Sequence, residues 1–101
     1  MSWFYILDSN HNPVPVDDII EWAMQFEHSD RIVEQTQIND HVRVSTVFLG
    51  LDQHWGGGIP ILFETMVFGG EHDGYQRRYS TWDEAVAGHH AAIEMIFEVS
   101  E

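Results

Sequence analysis

The side chains of this sequence that could do chemistry are mainly its seven histidines and seventeen acidic residues. Imidazole and carboxylate groups bind metal ions and transfer protons when several of them meet in one place. Asp52 stands two residues before His54, and His72 is followed by Asp73. A small-ligand or metal site near the glycine-rich loop, with His54, His72 and Asp73 as candidate ligands, is therefore one hypothesis. Nothing fixes the relative geometry of these groups, so we predict no metal site and no cofactor.

The adjacent His89 and His90 lack the spacing of metal ligands on a helix. Such ligands stand three or four residues apart, whereas helical neighbours point about 100° apart. His89 falls on the apolar side of a predicted helix, where a core histidine that hydrogen-bonds a backbone group is the ordinary explanation. We predict that His90 is exposed. Because no nucleophile stands in a recognisable catalytic motif, the sequence predicts a non-enzymatic protein.

Glu64 is a carboxylate within an otherwise apolar strand, and burying it without a partner would be costly. If it points inward, Arg43 or Arg78 could pair with it. The alternative, which we favour, places Glu64 and Arg43 as a cross-strand pair on the solvent face of the sheet. Arg77 and Arg78 are neighbours on one predicted strand, so we expect them to point to opposite faces.

The charge balance is strongly acidic. Seventeen acidic residues stand against four basic ones, all arginine, which gives a formal net charge of -13. Nucleic acids and anionic membranes are bound through cationic groups, so direct binding to either is disfavoured. A partner protein with a basic surface is favoured instead.

A chain of 101 residues fits one domain over residues 1–101. With 44% hydrophobic residues it has too much apolar material for a disordered acidic tail. The chain has no cysteine, and its first ten residues lack the pattern of a signal peptide. No segment approaches the roughly 18 apolar residues of a membrane span. We therefore expect a protein of the cytoplasm.

Two apolar strands joined by a glycine-rich loop make residues 42–70 the centre of the predicted fold. Both arms alternate along the chain and are rich in β-branched and aromatic residues, which favours a half-buried hairpin. The loop contains Trp55, three consecutive glycines and Pro60, so it is predicted to be irregular. It lacks the lysine of a nucleotide-binding loop, and a flexible connection is the simpler interpretation.

Two helical patterns flank the strands. In the first, Ile19, Ile20, Ala23 and Phe26 stand at helical spacing and are predicted to form the buried stripe. In the second, Thr81 and Glu84 have the spacing of a capping box. The predicted order is a strand over 3–7, a helix over 17–27, strands over 31–38, 42–49, 61–68 and 75–79, and a helix over 82–97. This order predicts an α+β domain in which an antiparallel sheet of about four to five strands carries both helices on one face.

Helices packed in this way would turn their acidic residues outward with few basic neighbours. We predict that this acidic helical surface binds the partner, and that Trp55 contributes an exposed aromatic contact. The predicted partner-binding residues are Asp17, Asp18, Glu21, Asp83, Glu84, Glu94, Glu98 and Trp55.

Three segments resemble a family of small proteins encoded by tailed bacteriophages and prophages. They are VSTVFLGLD (44–52), LFETMVFGG (62–70) and RYSTWDEAVAGH (78–89). No activity is established for that family, so the resemblance implies only a phage or prophage context and the cytoplasm of a host cell. In that context we predict an accessory protein that binds a basic host protein, for example as a DNA mimic that inhibits a host defence nuclease. The rival hypotheses are the small-ligand or metal site and self-assembly, as a homodimer for instance, through the open sheet face or its edge strands.

Overall fold

The computed structural model describes residues 3–28, 30–54 and 58–98. It confirms the predicted α+β class, and the strand order matches the prediction apart from one additional strand. No helix in these three ranges is long and apolar enough to cross a bilayer. The elements are β1 (Phe4–Leu7), β2 (Pro13–Val16), α1 (Ile19–His28), β3 (Ile32–Gln37), β4 (Arg43–Phe48), β5 (Phe63–Phe68), β6 (Gln76–Tyr79) and α2 (Trp82–Phe97).

The additional strand is β2, which pairs with β1 as a separate two-stranded antiparallel sheet. The predicted order contains no strand between residues 7 and 17, and proline is unfavourable in a strand because it cannot donate to a sheet ladder. Pro13 and Pro15 are accepted here because β2 is an edge strand with one neighbour. The turn before it is closed by Asp8, whose Oδ1 accepts hydrogen bonds from the backbone amides of Asn10 and Asn12.

Strands β3 to β6 form a four-stranded antiparallel meander in chain order, so the predicted central hairpin of β4 and β5 is confirmed. On one face, cross-strand neighbours such as Val44 and Val67 are fully buried. Helix α2 covers this face and contacts all four strands. The opposite face is not covered by either helix in the described part of the chain, and we call it the open face.

The start of α2 follows the predicted capping box. Thr81 Oγ1 accepts from the Glu84 amide at 3.1 Å, and Glu84 Oε1 accepts from the Thr81 amide at 3.1 Å. Small residues then allow a close approach to the sheet, since Ala85, Gly88 and Ala92 are all buried. This approach brings the middle of α2 within hydrogen-bonding distance of the strands.

Helix α1 departs from the prediction that both helices lie on one face of one sheet. It packs on the β1–β2 hairpin and makes no contact with α2 among the described residues. Its buried side is formed by Trp22 and Phe26, whereas Ile19, Ile20 and Ala23 are exposed. The physical reason is the unpredicted hairpin, which offers Trp22 both the ring of Phe4 at 5.0 Å and an acceptor for its indole N–H.

Candidate functional site

Each of the four arginines contacts an aromatic ring or a carboxylate of the chain. Three of them lie over aromatic rings, which attract a cation, and form no ion pair among the described residues. The fourth forms an ion pair on the open face. The contacts are Arg31 with Phe26 at 4.6 Å, Arg43 with Phe68 at 4.8 Å, Arg77 with Tyr79 at 5.5 Å and Arg78 with Glu64 at 2.9 Å. The cations of this chain therefore leave most of its carboxylates unneutralised.

The predicted acidic residues on the helices are exposed, and none of them forms an ion pair with arginine in the described ranges. Asp18 and Glu84 also cap their helices, so part of their role is structural. Because α1 and α2 lie apart, the carboxylates form two separate groups. One group is Asp17, Asp18 and Glu21, and the other is Asp83, Glu84, Glu94 and Glu98. Trp55 lies outside the described residues.

An apolar stripe runs along the outside of α1. Ile19, Ile20 and Met24 have exposed fractions of 56%, 70% and 62%. Sequence reasoning assigned two of these side chains to the core, because helical spacing alone does not say which apolar face is buried. The position of Trp22 could have indicated the buried face, because its larger side chain gains more from burial than an isoleucine does. We call Ile19, Ile20 and Met24 the α1 stripe; carboxylates of the same helix lie beside it.

The side chains of Asp52, His54 and Asp73 hydrogen-bond backbone groups. Asp52 Oδ1 accepts from the amides of His54 and Ile61, which closes the neck of the glycine-rich loop, and His54 Nδ1 donates to a backbone carbonyl. Asp73 Oδ1 accepts from the Gly69 amide at 2.7 Å. No group of three metal-ligating side chains exists among the described residues.

Glu64 lies on the open face, but the favoured exposed pair with Arg43 is wrong, because Glu64 is buried and its partner is Arg78. The sheet register explains the difference, since Arg78 stands directly across from Glu64 while Arg43 stands across from Phe68. Only 11% of the Glu64 side chain is exposed, and Gln76 also donates to it. Arg77 and Arg78 belong to opposite faces, because they stand across from Thr65 and Glu64 respectively.

His89 is the centre of a buried hydrogen-bond network between α2 and the sheet. Its Nδ1 is 2.7 Å from Thr46 Oγ1, and its Nε2 is 2.9 Å from Thr36 Oγ1. Thr46 is also bonded to Thr65 at 2.6 Å, and Thr65 accepts from the Tyr79 hydroxyl at 3.1 Å. The prediction of a core histidine agrees with the structure, but its partners are side-chain hydroxyls and not backbone groups.

In one arrangement of the protons, each hydroxyl of this hydrogen-bonded series donates one hydrogen bond. Tyr79 donates to Thr65, Thr65 to Thr46, and Thr46 to the unprotonated Nδ1 of a neutral His89. Burial lowers the pKa of His89, an effect that Glu34 partly opposes. The neutral imidazole that this arrangement of the protons uses is also the form that burial favours.

Glu34 connects the buried network to the surface. Its carboxylate lies 3.6 Å from Nε2 of the fully buried His89 and 3.3 Å from Nε2 of the exposed His90. The exposure of His90 confirms its predicted position. Because all groups of the network are paired and His89 has no exposed surface, the arrangement positions α2 on the sheet and offers no room for a substrate.

The part of the chain that the structure describes includes two open apolar grooves of about 310 Å³ each, and His89 lines neither of them. The first lies between the end of α1 and the sheet, and it is lined by Phe26, Arg31, Ile32, Val47, Phe48 and Leu49. The second lies beside the β1–β2 hairpin, and it is lined by Tyr5, Pro13, Ile59, Pro60, Leu62, Ser80 and Thr81. Only the first contains a charged side chain.

No family model matches this chain, and neither a curated protein nor a solved structure is significantly similar to it. The resemblance to phage-encoded proteins therefore stays a prediction from three sequence segments. Those segments supply Thr46, Thr65, Tyr79 and His89. Each of the three segments therefore contributes to the contact between α2 and the sheet.

Proposed function

We propose that this protein is a non-enzymatic binding protein whose acidic helices engage a partner protein with a basic surface. The observation that carries the proposal is that, in the described part of the chain, no helix carboxylate forms an ion pair with an arginine: three arginines lie over aromatic rings and the fourth pairs with Glu64. In the phage context that the resemblance implies, the partner is a host protein in the host cytoplasm.

The physical support comes from long-range and short-range forces together. A net charge of -13 attracts a basic protein over distance and speeds association, and this effect weakens as salt is added. At contact, the α1 stripe supplies exposed apolar side chains, whose burial against a partner is favourable. An amphipathic helix of this kind docks into an apolar groove of its partner.

DNA mimicry is the narrower form of this proposal. The prediction of mimicry rests on carboxylates presented by two helices lying side by side. In the described residues, however, α1 and α2 make no contact. A DNA-binding host protein, such as a defence nuclease, would then contact one acidic group or close around both. Competition between duplex DNA and this protein for the captured partner distinguishes mimicry from binding elsewhere on the partner.

The test is capture of host proteins on immobilised protein with matched neutralised variants. Asp17→Asn with Glu21→Gln removes two charges from the α1 group, and Asp83→Asn with Glu94→Gln removes two from the α2 group, while both helix caps are preserved. Asp40→Asn with Glu71→Gln removes two exposed loop carboxylates as the control. We expect a basic host protein to be retained by the native and control proteins and released by moderate salt.

At least one helix variant should lose most of that retention. Equal retention by both helix variants and the control, or retention that is indifferent to salt, would contradict the proposal. Co-elution of partner with duplex DNA and this protein in one ternary complex would contradict mimicry while leaving binding intact.

A further inference from the structure

The groove between the end of α1 and the four-stranded sheet has the composition of a ligand site. Its apolar wall includes Phe26, Val47 and Leu49, and Arg31 is the single charged residue of its lining. A volume of about 310 Å³ is at the lower end of the range of small-molecule pockets, roughly 300–1,000 Å³. Such pockets are mostly apolar, with a few polar groups that orient the ligand.

The backbone fixes the position of Arg31 at this groove. The Phe48 amide donates to the Arg31 carbonyl at 2.7 Å, and the Ile32 amide donates to Asp30 Oδ1 at 3.1 Å. The register of β3 shifts between Ile32 and Glu34, which is the mark of a β-bulge. A bulge bends the strand and turns nearby side chains to new directions, as often happens beside binding sites.

The guanidinium of Arg31 is available to an anion. It lies 4.6 Å from the centre of the Phe26 ring, and within the described residues it forms no ion pair with a carboxylate. The neighbouring Asp30 already accepts from the Ile32 amide. In a chain of net charge -13, most of the surface repels anions, so a solvent-exposed cation beside an apolar wall is a distinctive combination.

The second groove provides an internal comparison. It has the same volume, but its lining contains no charged residue. An apolar ligand would therefore enter either groove, whereas an acidic group on that ligand favours only the groove with Arg31.

We propose that the groove at Arg31 binds a small amphipathic anion, with its apolar body on Phe26, Val47 and Leu49 and its acidic group on the guanidinium. This site is distinct from the acidic helical surface and does not depend on the proposed partner. The guanidinium can offer two parallel N–H donors to a carboxylate, sulfonate or phosphate.

The test compares two fluorescent probes of similar shape on the full chain. One is 8-anilinonaphthalene-1-sulfonate, and the other is N-phenyl-1-naphthylamine, which lacks the sulfonate. The variant Arg31→Gln removes the cation from the groove. The variant Arg43→Gln is the matched control, because Arg43 also lies over a phenylalanine ring, at 4.8 Å.

We expect the native protein and Arg43→Gln to bind the anionic probe more tightly than Arg31→Gln does, by about fivefold, the value of one partly exposed ion pair. The neutral probe should bind all three proteins equally, and its shifts of the Val47 and Leu49 amide resonances in Arg31→Gln show that this groove is intact. Amide resonances of Val47 and Leu49 should shift on titration. Unchanged affinity of the anionic probe in Arg31→Gln, or shifts confined to Ile59 and Leu62, would overturn the proposal.

Discussion

Tyr79 lies directly against Gly88, so closely that a Cβ atom on Gly88 would overlap with the tyrosine hydroxyl and ring. Gly88 is in the middle of α2 and has ordinary helical geometry, so its glycine is explained by this contact and not by its backbone conformation. The close approach also lets the Tyr79 hydroxyl reach Thr65 beneath the helix.

Replacing Gly88 by alanine should destabilise the protein despite the better helix propensity of alanine. Overpacking a buried contact costs about 1–3 kcal/mol, whereas the gain in propensity is about 1 kcal/mol. We expect a lower free energy of unfolding in urea denaturation. Ala87→Gly, at the exposed neighbouring position, measures the propensity term alone. A Gly88→Ala protein that is more stable than the native one would contradict the close packing.

The threonines beneath α2 should be energetically coupled. Thr46→Val leaves the Thr65 hydroxyl without its acceptor and the Nδ1 of His89 without its donor, so we expect it to lower the free energy of unfolding by about 2 kcal/mol. The double variant Thr46→Val with Thr65→Val should cost less than the sum of the single variants, because both remove the same hydrogen bond. Thr46→Val combined with the distant surface change Asp40→Asn should be additive. Additivity in both pairs would rule out a connected network.

Stability should depend on pH through His89. Burial lowers the pKa of His89 in the folded protein, so the unfolded chain binds a proton first as the pH falls. The contribution of His89 to the free energy of unfolding is therefore fully present above the pKa of the unfolded chain, about 6.5. It is lost between that value and the lower folded pKa, by at most about 1.4 kcal/mol per pH unit. Urea denaturation at several pH values measures this slope. His89→Gln should reduce the slope, whereas His90→Gln, at the exposed neighbour, should preserve more of it.

Substitutions on the two sides of α1 should change the free energy of unfolding by very different amounts. Ile20→Ser changes a side chain that is 70% exposed, so we expect a change in the free energy of unfolding within about 0.5 kcal/mol. Trp22→Ala removes an aromatic contact with Phe4 and a hydrogen bond to the Tyr5 carbonyl, and should cost about 3 kcal/mol. A large loss of stability in Ile20→Ser would contradict the exposure of Ile20 and support the buried stripe that helical spacing predicts.

The elements of the four-stranded sheet and of α2 were predictable because their signals are local. Alternation along β4 and β5 indicates a half-buried hairpin, and the Thr81–Glu84 box marks the start of α2 by contacts three residues apart. The opposite orientation of Arg77 and Arg78 follows from strand geometry alone. The charge of -13 is likewise a property of composition.

The tertiary structure alone decided which groups meet. The proline-containing β2 is a strand because it pairs with β1 at a sheet edge. Trp22 of α1 packs on the hairpin that these two strands form. The register of β5 and β6 places Arg78 across from Glu64. The close approach of α2 to the sheet places His89 within hydrogen-bonding distance of the Thr46 hydroxyl. These pairings join residues up to 53 positions apart, so they depend on strand register and packing depth, which no local pattern encodes.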